Sequence, residues 1–135
     1  MRKSALLIAL AIAAAAPVSA ASPQHKDGEA ALQELLAGRV AGKPERCVSL
    51  LRLGSSQVID GTAIVYHSAG SRIYVNRPKN DASSLKSDDI MVTRTSNAEL
   101  CDIDTVEMVD RNSHALTGLV MLGDFVPYDR VRPTR

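Results

Sequence analysis

Cys47 and Cys101 are the only cysteines in a chain of 135 residues. Two thiols support either a disulfide or redox and nucleophilic chemistry. No C-x-x-C pair occurs, and thiol oxidoreductases usually need one. An even cysteine count in an exported chain reads first as a disulfide, and the N-terminal segment described below reads as an export signal. Closing the 53 residues between Cys47 and Cys101 is expected to stabilise the fold by about 4 kcal/mol on the loop-entropy account. A small domain has a total stability of roughly 5–15 kcal/mol.

Asp102 and Asp104 stand two apart at the start of a predicted strand, a spacing that projects both carboxylates to one face. Carboxylates placed that way share a proton or hold a cation. Arg94 is expected to pair with Asp104 or Asp60 across strands, as a structural ion pair. Arg94, Asp102 and Asp104 therefore form the polar cluster to watch, although acidic residues near strand ends also serve as ordinary edge protection. Asp88 and Asp89 form a second acidic pair, without the dense oxygen ligands and glycine turn of a calcium loop.

The remaining polar residues carry weaker signals. His25, His67 and His114 are too scattered for zinc spacing. There is no G-x-S-x-G elbow, and Gly54, Gly61 and Gly70 are single turn glycines rather than a phosphate loop. No metal or cofactor is implied. Arg72, Arg77, Lys79 and Lys86, with Arg94 beyond them, could rim an anion site. Asp81, Asp88 and Asp89 interleave with them, which favours a solvated mixed surface. Aromatic interleaving for base stacking is missing, so nucleic acid is not an expected partner.

The elements that must position these residues follow from pattern. Asp27 to Gly38 reads as a helix: Asp27 caps, Glu29 sits in the first turn and Gly38 stops it. Leu32, Leu35 and Leu36 give it one apolar stripe. Ala41 to Pro44 reads as a linker. From Cys47 onward short β-branched runs recur between turn residues: Cys47–Leu53, Gln57–Asp60, Thr62–His67, Arg72–Asn76, Ile90–Thr95, Ile103–Val109 and Leu116–Leu122. The Gly70 region signals a hairpin, and Ile73 and Val75 share a face. Arg77 to Ser87 is a polar loop, Ser96 to Glu99 matches a capping box for one helical turn, and the segment after Pro127 is polar. The predicted fold is mainly β: a small antiparallel barrel or sandwich with one N-terminal amphipathic helix.

The N-terminus has the three parts of a secretory signal. Arg2 and Lys3 precede twelve apolar residues, Ala5 to Ala16; Pro17 then leads to small residues, with cleavage expected after Ala20 or Ala21. Twelve residues fall short of the roughly twenty that span a bilayer core, and no lipid-attachment cysteine follows. The expected organisation is a cleaved signal at 1–20, a helix and linker at 21–44, a β-rich domain at 45–128 and a flexible tail at 129–135. Cleavage leaves 115 residues and shifts the net charge from +1 to −1, so no long-range field draws in polyanions or membrane.

Several of these residues together carry a resemblance. Cys47-x-x-Leu50, Val58-Ile59-Asp60 with Thr62 and Ile64, Arg94-Thr95-Ser96 and Leu100-Cys101-x-x-Asp104 resemble an uncharacterised family of small exported proteobacterial proteins, a domain of unknown function. The resemblance covers roughly residues 45 to 128. Members often carry a second cysteine pair; here Leu122-Gly123-Asp124-Phe125 lacks the cysteine that precedes that segment. The resemblance implies export to a Gram-negative periplasm and supplies no activity.

The expectation is a non-enzymatic periplasmic module that binds a protein or envelope component, with no membrane insertion once the signal is removed. The alternative is a small periplasmic hydrolase or ligand-binding enzyme using the Asp102/Asp104 face and Arg94.

Overall fold

The computed structural model describes residues 23–132, with side chains from residue 26 onward. The signal segment, its cleavage positions Ala20 and Ala21, and the His25 side chain therefore lie outside the described residues.

Among the described residues, one α-helix, one short 3-10 turn (Ala82–Ser84) and ten strands make the fold: α1 (Pro23–Leu36), β1 (Arg39–Ala41), β2 (Cys47–Ser49), β3 (Leu53–Ile59), β4 (Ala63–Ser68), β5 (Ile73–Asn76), β6 (Ile90–Thr93), β7 (Glu99–Cys101), β8 (Thr105–Val109), β9 (Leu116–Met121) and β10 (Phe125–Arg130). All strand pairs are antiparallel. A five-stranded sheet in the order β1-β10-β5-β4-β3 faces two smaller ones, β2-β7 and β6-β8-β9. The arrangement is sandwich-like and not a closed barrel.

The five-stranded sheet is covered on both faces, which explains why β4 and β5 are buried almost residue for residue. Side chains alternate across a strand. Ile64, Tyr66 and Tyr74 point to the small sheets, where they pack with Val48, Leu100, Val106, Met108, Val120, Leu122 and Phe125. Ala63, Val65, Ile73 and Val75 point the other way and pack with Leu32 of α1. The predicted leucine stripe docks as expected, with Leu32 fully buried and Leu35 and Leu36 beside it. Thus the chain builds three layers around two apolar interfaces.

The helix starts earlier than its sequence signals suggest. Pro23 occupies the first turn, a position that suits proline, so Asp27 is an interior residue rather than a cap. Gly38, at φ 72°, supplies the predicted stop. Gly28 is costly in a helix by about 1 kcal/mol relative to alanine, but a Cβ there would sit 2.1 Å from Thr62 Oγ1 and 2.4 Å from Asp60 O. Glycine is what lets α1 lie against the β3–β4 turn.

Four other expectations are corrected. Ala41, expected to open the linker at 41–44, is the last residue of β1, which pairs with β10 in the main sheet, so 21–44 is not separate from the β-rich domain. The flexible tail at 129–135 begins too early: Asp129 and Arg130 belong to β10 and pair with Val40 and Arg39; residues 133–135 lie outside the described residues. Pro127 does not end β10, because its carbonyl accepts from Gly42 just past the end of the edge strand β1, and its missing N–H falls on that same edge. At 96–99 there is no helical turn. Asn97 Oδ1 accepts the Glu99 N–H, the Leu50 N–H donates to Ala98 O, and Glu99 enters β7.

Candidate functional site

Cys47 and Cys101 form the predicted disulfide, S–S 2.05 Å. They are register partners on β2 and β7, with Cα atoms 4.0 Å apart. The bond staples the two short strands of the smallest sheet, which has little ladder of its own. The Glu99 carboxylate comes within 4.8 Å of both sulfurs, but each sulfur is committed to the other.

The polar cluster does not assemble. Asp102 and Asp104 sit in the turn before β8 rather than on it, and they turn apart. Asp102 is buried and ion-paired to Arg46 at 3.2 Å and to Lys79 at 3.1 Å. The hydrogen bonds from Arg46 and then Lys79 hold its carboxyl below the ordinary carboxylate range, the opposite of what a shared proton requires. Asp104 instead accepts the Cys101 N–H at 2.7 Å. Arg94 pairs with Glu107 on the neighbouring strand β8, not with Asp104 or Asp60, and is largely exposed. Asp60 accepts the Ser87 N–H. Lys79 also donates to Asp102 O at 2.7 Å, so this cluster ties the long loop to the β7–β8 turn.

The basic rim expected around the long loop is dispersed in the same way. Arg77 pairs with Glu29 on α1, Lys79 with Asp102 and Arg94 with Glu107. Only Arg72 remains part of a basic group, with arginines from β1 and β10 that the sequence reading did not connect to it.

The surface that stands out is the open side of the sandwich. β3 is one edge of the five-stranded sheet and β6 one edge of the three-stranded sheet. Ser55, Ser56, Gln57 and Val58 of β3 face Ile90 and Met91 of β6 across a groove of about 590 Å³. Past Gln57 and Val58 the groove continues toward Asp27 and Ala31 of α1, through a further 370 Å³ or so. Val58 and Met91 are half-buried against the core and form an apolar floor. His67, Asp89 and Arg111 supply charge and hydrogen-bonding groups to the walls, with Asp27 and Asp60 farther along. Asp89 is buried and accepts from the Thr117 hydroxyl. The outer edges of β3 and β6 make no ladder, so both present unpaired N–H and C=O groups beside one groove. An arrangement of this kind can add a strand. In sequence this edge is the polar run Ser55-Ser56-Gln57, which local pattern divides between turn residues and the run Gln57–Asp60, whereas β3 carries it as one strand.

Among the described residues no helix is long and apolar enough to cross a membrane. Comparison with protein-family models, with curated proteins and with solved structures finds no match to this chain.

Proposed function

We propose that this protein is an exported, non-enzymatic binding module of the periplasm that takes up an extended polypeptide segment along the open edge of β3. The observation that carries this reading is the pair of unladdered strand edges, β3 and β6, on one groove. Strand addition draws affinity from main-chain hydrogen bonds and specificity from pockets for alternate side chains. Here Val58 and Met91 provide the apolar floor. Asp27, Asp60 and Asp89 outnumber Arg111 along the walls, which favours a segment that alternates apolar and cationic residues. The leader-like N-terminus, the disulfide and the resemblance of residues 45 to 128 support the compartment.

The test is titration of the isotope-labelled, oxidised protein with a ten-residue peptide alternating valine and lysine. Amide shifts concentrated on 55–58 and 90–92 are expected, and Gln57→Lys, which adds a charge to the edge, should weaken binding at least tenfold. Shifts confined to other surfaces, or none, would overturn the reading.

A further inference from the structure

At one end of the main sheet, α1 stops, β1 begins, β4 turns into β5 and β10 finishes. These segments surround a cleft of about 810 Å³, lined by Arg39, Arg72 and Arg130. It adjoins a smaller hollow of about 400 Å³ around the same turn, lined by Arg52, Arg72 and Arg132. Five guanidinium groups thus surround one turn, against two carboxylates, Glu34 and Asp129. For a mature chain of net charge near −1 that is a strong local concentration.

Its construction is not what stability alone would choose. Arg39 and Arg130 are direct register partners on β1 and β10. Side chains directly opposite on an antiparallel pair stand about 5 Å apart, and like charges there are destabilising. Arg39 rests its guanidinium on the Ser71 carbonyl, and among the described residues Arg130 makes no ion pair with a carboxylate. Arg72 is held differently: Asp129 receives both its Nε, at 2.8 Å, and its Nη2, at 2.7 Å. One arginine is fixed by a bidentate carboxylate while two others stand opposite each other at the cleft, with only the longer-range charges of Asp129 and Glu34 nearby.

We propose that this cleft binds a ligand carrying two or more linked phosphate groups. Guanidinium forks match phosphate oxygens bidentately, and the two facing arginines fit a diphosphate better than a single phosphate, with Arg72, held by Asp129, adding charge alongside. Gly70 and Ser71 of the β4–β5 turn line the rim beside these arginines. The volume falls in the ordinary range for a small-ligand site. The cleft meets the β3 groove only at His67, and neither proposal uses that residue as its carrier, so either stands if the other fails.

Calorimetric titration of the exported, disulfide-intact protein with sodium pyrophosphate at low salt tests the proposal, with inorganic phosphate and sulfate alongside. Pyrophosphate should bind at least tenfold more tightly than either single anion and weaken as salt is raised. The double variant R39Q/R130Q should lose at least tenfold in affinity while its melting temperature holds or rises, because it removes a like-charge pair. A merely structural role for these arginines would lower the melting temperature instead. Flotation with vesicles of phosphatidylcholine plus phosphatidic acid separates the sources of the ligand. Arg39- and Arg130-dependent flotation that pyrophosphate competes away assigns a lipid headgroup, and pyrophosphate binding without flotation assigns a free phosphorylated ligand. Absence of pyrophosphate binding at millimolar concentration, or a double variant that binds as the parent does, would overturn the proposal.

Discussion

Asn76 and Gly123 clasp each other through both halves of one amide: Asn76 Nδ2 donates to Gly123 O at 2.6 Å, and Gly123 N donates to Asn76 Oδ1 at 2.9 Å. Asn76 is fully buried at the end of β5, and Gly123 lies in the turn that carries β9 into β10. The pair therefore sets where the chain leaves the three-stranded sheet and re-enters the five-stranded one. Asn76→Ala would strand a buried N–H and a buried C=O. Each such group costs roughly 1–3 kcal/mol, so a loss of about 3 kcal/mol is expected in urea unfolding. A loss below about 1 kcal/mol would show that the turn holds without the clasp.

Tyr66 presents the reverse case. Its ring packs on Phe125 with centroids 5.7 Å apart, but its hydroxyl is buried with no hydrogen-bond partner among the described residues, and burial pushes the phenol well above its ordinary pKa. Tyr66→Phe keeps the ring contact and removes the unsatisfied group. It should stabilise the protein by about 1 kcal/mol in the same assay; a lower melting temperature for the variant would contradict this.

Acid should undo the Asp102 anchor in a defined direction. Its carboxyl is held below its ordinary value of 3.8 by the hydrogen bonds from Arg46 and Lys79. A depressed value in the folded state means stabilisation that is complete above 3.8 and is lost as the pH falls through the folded value. Asp102→Asn should therefore melt below the parent at pH 7, and the gap should narrow as the pH drops from 4 toward 2. A gap that stays constant over that range would refute the ion-pair account.

The disulfide should matter more than the size of its sheet suggests. β2 and β7 share only three register pairs, one of them the bridge itself. Cys47→Ser/Cys101→Ser is expected to lose about 4 kcal/mol by the loop-entropy account. Equilibrium unfolding with and without reductant should show the same loss for the parent and none for the variant. A parent protein indifferent to reductant would count against it.

What the sequence determined by itself lies in local pattern. Alternation within short β-branched runs marked β4, β5, β8 and β9, and turn chemistry marked the hairpin at Gly70. The leucine spacing marked the buried stripe of α1, and an even cysteine count paired Cys47 with Cys101. Each of these depends on neighbours a few residues away, or on two thiols with no competitor. Tertiary structure decided the rest, because side-chain partners are chosen by strand register, and register joins segments far apart in the chain. Arg94, Asp102 and Asp104 stand close in sequence yet face Glu107, Arg46 with Lys79, and the Cys101 N–H respectively. Ala41 and the last two residues of β10, Asp129 and Arg130, looked like linker and tail from local composition, and only the pairing of β1 with β10 makes them strand. That same pairing sets Arg39 opposite Arg130, 91 positions along the chain. Likewise the edges of β3 and β6 became a shared groove only once the two sheets packed face to face.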